Sequence, residues 1–135
     1  MIKPLFQRVV VGYNGSRSSL HTVLYAILMA KVYKCAVKVV SVVDTASIKY
    51  LTLQKFMVSQ EGESIAKSLE SDSEKNLDYV TDLAKSKGVK IETEIRKGAV
   101  WSEIITAADE FKADLILLGG AKNLDHLSSL SRDVI

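Results

Sequence analysis

Two short stretches of this sequence carry the residue types that receive an anion. "VVVGYNGSRSS" sets Asn14, Gly15 and Ser16 directly after an apolar run that ends at Gly12, and "DLILLGGAKN" closes another run on Leu118, Gly119 and Gly120. Glycine permits positive φ and lets backbone N–H groups come close to a negative oxygen. A helix that begins just after such a turn adds the partial positive charge of its N-terminus. The chemistry on offer is binding of a phosphate or carboxylate. The competing reading of each stretch is plain turn formation, because Asn-Gly is a common turn pair and paired glycines also simply end strands. Neither a G-x-G-x-x-G fingerprint nor a Walker A loop occurs, so those two phosphate sites have no support.

Residues suited to bond making are sparse. His21 falls on a helical pattern as a surface or boundary residue, and His126 sits beside Asp125 in a polar stretch. Cys35 opens a strand and reads as a small buried hydrophobe rather than a nucleophile. Trp101 reads as a packing residue at the start of a helix. No His, Cys and Asp grouping has the spacing of a metal-ligand set. No catalytic residue and no metal ligand is assigned on these grounds.

The elements that must hold those turns are legible from apolar periodicity. "RVVVGY" is a β-branched run and reads as a buried strand. Over residues 16–33, Leu20, Val23, Leu24, Ile27 and Leu28 recur at helical spacing, with Ser16, Ser18 or Ser19 as the cap. "AVKVVSVV" is a second buried strand, whereas residues 44–60 show no clean period; their "YLTLQKFMV" could serve as a lid, a partner surface or an ordinary packed loop. A long helix is expected over 61–86 on the stripe Ile65, Leu69, Leu77, Val80, Leu83 and Ala84, stopped by Gly88. "KIETEIR" alternates as a half-exposed strand should, and "SEIITAADEF" turns Ile104, Ile105, Ala108 and Phe111 inward before the apolar strand "DLILLG".

Strands alternating with helices imply an α/β fold with a parallel sheet covered on both faces. Continuous apolar runs in the first, second and fourth strands imply burial on both faces, and the alternating third strand implies an edge. The order 3-2-1-4 satisfies all of them. In that order the fourth strand is the other edge, and an uncovered apolar edge invites pairing with another chain. Ligands of such sheets bind beyond the carboxyl ends of the strands, where the order reverses, which here lies between strands one and four. A phosphorelay receiver uses the same kind of sheet but needs carboxylates after strands one and three; Gly12, Tyr13, Asn14, Arg96 and Lys97 stand there instead.

The bulk numbers narrow the classes further. The 135 residues are 47% hydrophobic and 25% charged, as expected of one soluble domain that needs no disulfide or metal to fold. A net charge of +2 with interleaved signs gives no reason to invoke nucleic acid or a membrane surface. The single cysteine fits a reducing, cytoplasmic setting. The first apolar run is too short for a signal peptide, and no stretch approaches the ~20 residues that span a bilayer.

Taken together, "RVVVGYNGSRSSLHTVLYAILMAK", "VKVVSVVD" and "IETEIRKGAVWSEIITAADEFKADLILLGG" resemble the universal stress protein family. They match its "hhVhhDGSxxSxxAhxxAhxhA", its "hhxVhxh" strand and its "G-x-h-xxxIhxxAxxxxADLIhhG", the last being the most specific. The resemblance implies a Rossmann-like, doubly wound parallel sheet. It also implies a fifth strand, expected in the family but absent from this chain, which in many members builds a homodimer. It implies, for one branch, ATP binding through G-x2-G-x9-G-[S/T] after the fourth strand, and for another branch no nucleotide.

Carried across by position, Gly119 matches the first motif glycine, with Gly120 beside it, and Lys122 stands where the second glycine should be. The final Gly-Ser aligns with Ser128 and Ser129 in a shortened loop, and Asn14 replaces the usual aspartate. Val42 matches the position whose backbone meets adenine, and Leu118 and Gly98 match further lining positions. The resemblance thus implies an adenine site better kept on the base side than on the phosphate side: AMP-like ligands, or ATP with Mg²⁺, or an empty pocket in a protein-interaction module. A slow ATP-hydrolysing enzyme is a further alternative.

Overall fold

A computed structural model of the chain describes residues 6–119. Its elements run β1 (Arg8–Gly12), α1 (Arg17–Tyr33), β2 (Ala36–Val43), α2 (Thr45–Leu53), α3 (Ser59–Ser86), β3 (Glu92–Lys97), α4 (Val100–Phe111) and β4 (Leu115–Leu118). The strands form one sheet in the order β3-β2-β1-β4, every pairing parallel. The strand order is the one expected from the burial pattern, and the arrangement is the Rossmann-like α/β fold that the family resemblance implied. No helix among the described residues is long and apolar enough to cross a membrane.

Alternation along the strands sorts the core into two layers. Val9 and Val11 of β1, with Val37 and Val39 of β2, pack under α1 and α3 against Val23, Ile27, Leu77 and Val80. Val10 and Val40 point the other way and meet Ile104, Ala107, Ala108 and Phe111 of α4. The central strands are therefore valine-rich throughout because both of their faces are covered.

Several expectations are corrected. β4 was expected to be buried on both faces; instead Leu115 and Leu117 pack toward the α1 side while Ile116 and Leu118 remain exposed. Its edge position accounts for this, since α4 covers β1 and β2 instead. On α3, Ile65 and Leu69 stand partly in solvent: the start of the helix packs at Gly62 on Ile48 and Thr52 of α2, and Leu69 borders an open cleft with Ser41 and Val42. On α4 the inward residue is Ala107 rather than Ile105. The aperiodic stretch after β2 contains α2, which buries none of its residues. Asp44 starts it: its carboxylate accepts from the Ser47 N–H at 3.0 Å and from the Ser47 hydroxyl at 2.8 Å.

The edge pairing is anchored by a carboxylate. Asp114 accepts the Gln7 N–H at 3.2 and 3.0 Å and the Arg8 N–H at 3.2 Å, tying the entry of β4 to that of β1. The Gln7 N–H, opposed by lost hydration and aided by the Arg8 N–H, holds this carboxyl below the ordinary aspartate value. A depressed carboxylate contributes stability that is present above its unfolded-state pKa and lost as pH falls through the folded value. Asp114→Asn is therefore expected to lower stability at neutral pH, and the gap to the wild type should close below about pH 4. Urea denaturation between neutral and acid pH checks this; a gap independent of pH would contradict it.

Candidate functional site

At the switch, the parallel strands β1 and β4 end side by side, and Gly119 after β4 touches the start of α1. Ser16 caps α1, its hydroxyl accepting the Ser19 N–H at 3.2 Å. Asn14 Oδ1 accepts both the Ser16 N–H at 3.0 Å and the Ser19 hydroxyl at 2.9 Å. The Asn14 carbonyl oxygen is thus committed to the turn, and its amide nitrogen is the group that can donate to a ligand. Gly15 takes φ +84°, with Asn76 of α3 so close that a β-carbon would lie 2.7 Å from its Nδ2. Gly119 rests on the first turn of α1: a β-carbon there would lie 2.5 Å from the Ser19 nitrogen. The glycine required at the end of β4 is explained by this backbone contact.

Below these turns lies a cavity of about 380 Å³, within the ~300–1,000 Å³ of small-molecule sites. Gly12, Asn14, Val42, Leu118 and Gly119 line it, as does Trp101. A second, more polar cleft of about 490 Å³ adjoins it, sharing Asn14, Val42 and Val100 and adding Gly15, Asp44 and Asp72. Of the remaining expected site residues, Gly98 closes β3 and donates its N–H to the Val43 carbonyl at 3.1 Å. Gly120, Ser128 and Ser129 lie outside the described residues, as do Lys122 and His126.

Ladder parity gives Val42 a particular role. Tyr13 donates its N–H to the Val40 carbonyl at 2.9 Å, so Val40 faces β1, whereas Val43 faces β3. Peptide groups alternate sides along a strand, so Val42 faces the β1 side as Val40 does. β1 ends opposite Val40, and the Val42 N–H and C=O therefore face the crevice beyond the end of their neighbour.

The described lining of the first cavity carries no formal charge. Among the described residues, none that lines it is an acid, a lysine, an arginine or a histidine. The Tyr13 hydroxyl is pushed above the ordinary tyrosine value by burial and then by Tyr79, so it stays protonated. Charge is gathered instead between β3 and α4, where Arg96 bonds Glu103 at 2.9 Å, Glu94 at 3.0 Å and Glu110 at 2.9 Å. Lys38 adds a contact to Glu94 at 2.9 Å. Burial pushes the Glu94 carboxyl up, but Lys38 and Arg96 outweigh it and leave it below the ordinary value. The Arg96–Glu103 pair joins the end of β3 to the first turn of α4, fixing the rim of the cavity.

Sequence reasoning brought Tyr13, Val100 and Trp101 here only within the strand-end segments "GYNGS" and "RKGAVWS", and did not place Ser19, Val40 or Ile104 at this site. Trp101 and Ile104 stand three apart on one helix face, which was a usable signal. The others owe their place to where the strands end.

The sequence pattern of the Universal stress protein family matches residues 5–135. The chain belongs to the universal stress protein family. A universal stress protein of Methanocaldococcus jannaschii is 32% identical over 115 residues; the match covers 85% of this chain and 65% of that relative's length. A solved universal stress protein family member from Burkholderia pseudomallei superposes with a TM-score of 0.71 at 19% identity, covering 93% of this chain and 90% of its own. A solved universal stress protein in complex with cAMP superposes with a TM-score of 0.63 at 28% identity, covering 89% of this chain and 80% of its own. As in those universal stress proteins, this chain's helices flank the sheet on both faces.

Proposed function

We propose that this universal stress protein is a regulatory module that binds an adenine nucleoside or nucleotide, with the base in the neutral cavity and the sugar toward Asn14. The observation that carries the reading is the pairing of an uncharged, largely apolar cavity with the Val42 peptide edge facing it. An adenine edge offers an amino donor beside a ring-nitrogen acceptor, the complement of a C=O beside an N–H. The cAMP complex of a relative 28% identical supports an adenine ligand. A neutral lining favours the base over the phosphates, which makes adenosine, AMP and cAMP the leading ligands and ATP with Mg²⁺ the competitor.

Thermal denaturation with each of these ligands, with and without Mg²⁺, tests the reading. A ligand at a hundred times its Kd adds ~2.7 kcal/mol of stability, a readily seen shift. A flat response to all of them would sink the nucleotide reading. It would leave a nucleotide-free interaction module, which is favoured by the exposed Tyr50, Leu53, Phe56 and Val58 in and just after α2. Slow ATP hydrolysis is a lesser reading, since among the described residues no acid, lysine or histidine lines this cavity to move a proton; phosphate release would revive it.

A homodimer and a cytoplasmic setting are part of the same proposal. Among the described residues the outer edge of β4 carries no strand. Its exposed Ile116 and Leu118 are what a second chain would cover.

A further inference from the structure

Trp101 is the anomaly of α4. It stands three residues before Ile104, on the line that continues through Ala108 and Phe111, and those three are buried against the sheet. Trp101 belongs to the same stripe, and packing at the helix start was expected of it. Instead it is 64% exposed. β1 and β2 end beneath it, so the indole lines the neutral cavity rather than meeting a strand. The surrounding backbone is not loose: Glu103, two residues on, is held by Arg96 at 2.9 Å. A large flat side chain on an anchored helix turn thereby borders an open space whose other lining includes Val42, Ile104 and Leu118.

We propose that Trp101 is the base-stacking residue of this site, its indole closing over one face of a planar heterocycle whose edge meets the Val42 peptide groups. This rests on the adenine-ligand reading above and adds to it a specificity determinant. Ring stacking is tolerant of base identity but needs a flat aromatic face. The site should therefore rank ligands by their base. Adenosine and AMP should bind with similar affinity, and ribose 5-phosphate, which has no ring to stack, should not bind.

The chain contains one tryptophan, so intrinsic indole fluorescence reports on this position alone. Adenosine titrated into the wild type should change that fluorescence saturably, with the Kd that calorimetry gives. Trp101→Ala should weaken adenosine roughly 5- to 150-fold, the range of one lost base stack, with Trp101→Phe in between. Because the side chain is largely exposed, both variants should fold, which circular dichroism verifies. The proposal is overturned if calorimetry shows wild-type adenosine affinity in Trp101→Ala, whether or not the wild-type fluorescence responds. Tighter binding of ribose 5-phosphate than of adenosine would also overturn it while leaving a ligand site in place. No binding of any adenine ligand by the wild type is a separate outcome: it removes the underlying reading and this proposal with it.

Discussion

Gly12→Val is expected to abolish binding of adenosine and AMP at concentrations that saturate the wild type. Gly12 ends β1 at the floor of the neutral cavity. A β-carbon there would lie 2.8 Å from Leu118 Cδ2 and 3.1 Å from Ile104 Cδ1, both of which line the same space. Leu118 has room to swing because its other side is open, whereas Ile104 is held in the α4 core. Valine's two methyl groups therefore project into the volume assigned to the base. Overpacking of this kind also costs about 1–3 kcal/mol, so the melting temperature should fall as well. Calorimetric titration of the folded variant separates the two effects. Wild-type affinity in Gly12→Val would show that the ligand lies elsewhere.

Ile27→Ala should cost about 2–5 kcal/mol, the range for deleting a large buried aliphatic group and leaving a void. Ile27 is 1% exposed and sits in the layer between α1 and the sheet, with Val9, Val11 and Val39. The next residue is the control. Leu28 is 57% exposed on the outer face of the same helix, so Leu28→Ala should change stability by no more than about 0.5 kcal/mol. Urea denaturation midpoints compare them directly. A comparable loss in both would mean that the outer face of α1 is covered in solution, by a second copy or by another part of the chain.

Much of the architecture was legible before any coordinates. The valine runs of β1 and β2 announce strands covered on both sides, and alternation in "KIETEIR" announces an edge. Those two facts, with the alternation of strands and helices, lead to the observed order β3-β2-β1-β4. The cap at Ser16 was readable for the same reason: a hydroxyl before an apolar helical stripe is a local signal. β4 misled because "LILL" has the composition of a doubly covered strand, yet composition does not say which helices are near. α2 was missed because it buries none of its residues and so has no apolar period to read.

The site divides along the same line. Sequence by itself determined the family, the strand order and the two glycine-bearing turns that meet at the switch, because each depends on local residue type or on a covering pattern that repeats along the chain. Only the tertiary structure decided what those residues do. Gly119 is glycine because the backbone of α1 lies against it, a distance no local pattern encodes. Val42 faces the crevice because β1 ends two residues earlier in the register, which is a property of the pairing. Trp101, which the helical stripe alone would bury, overhangs a cavity because the strands beneath it stop short. Periodicity reports which face of an element turns inward; where the neighbouring element ends is set only when they are assembled.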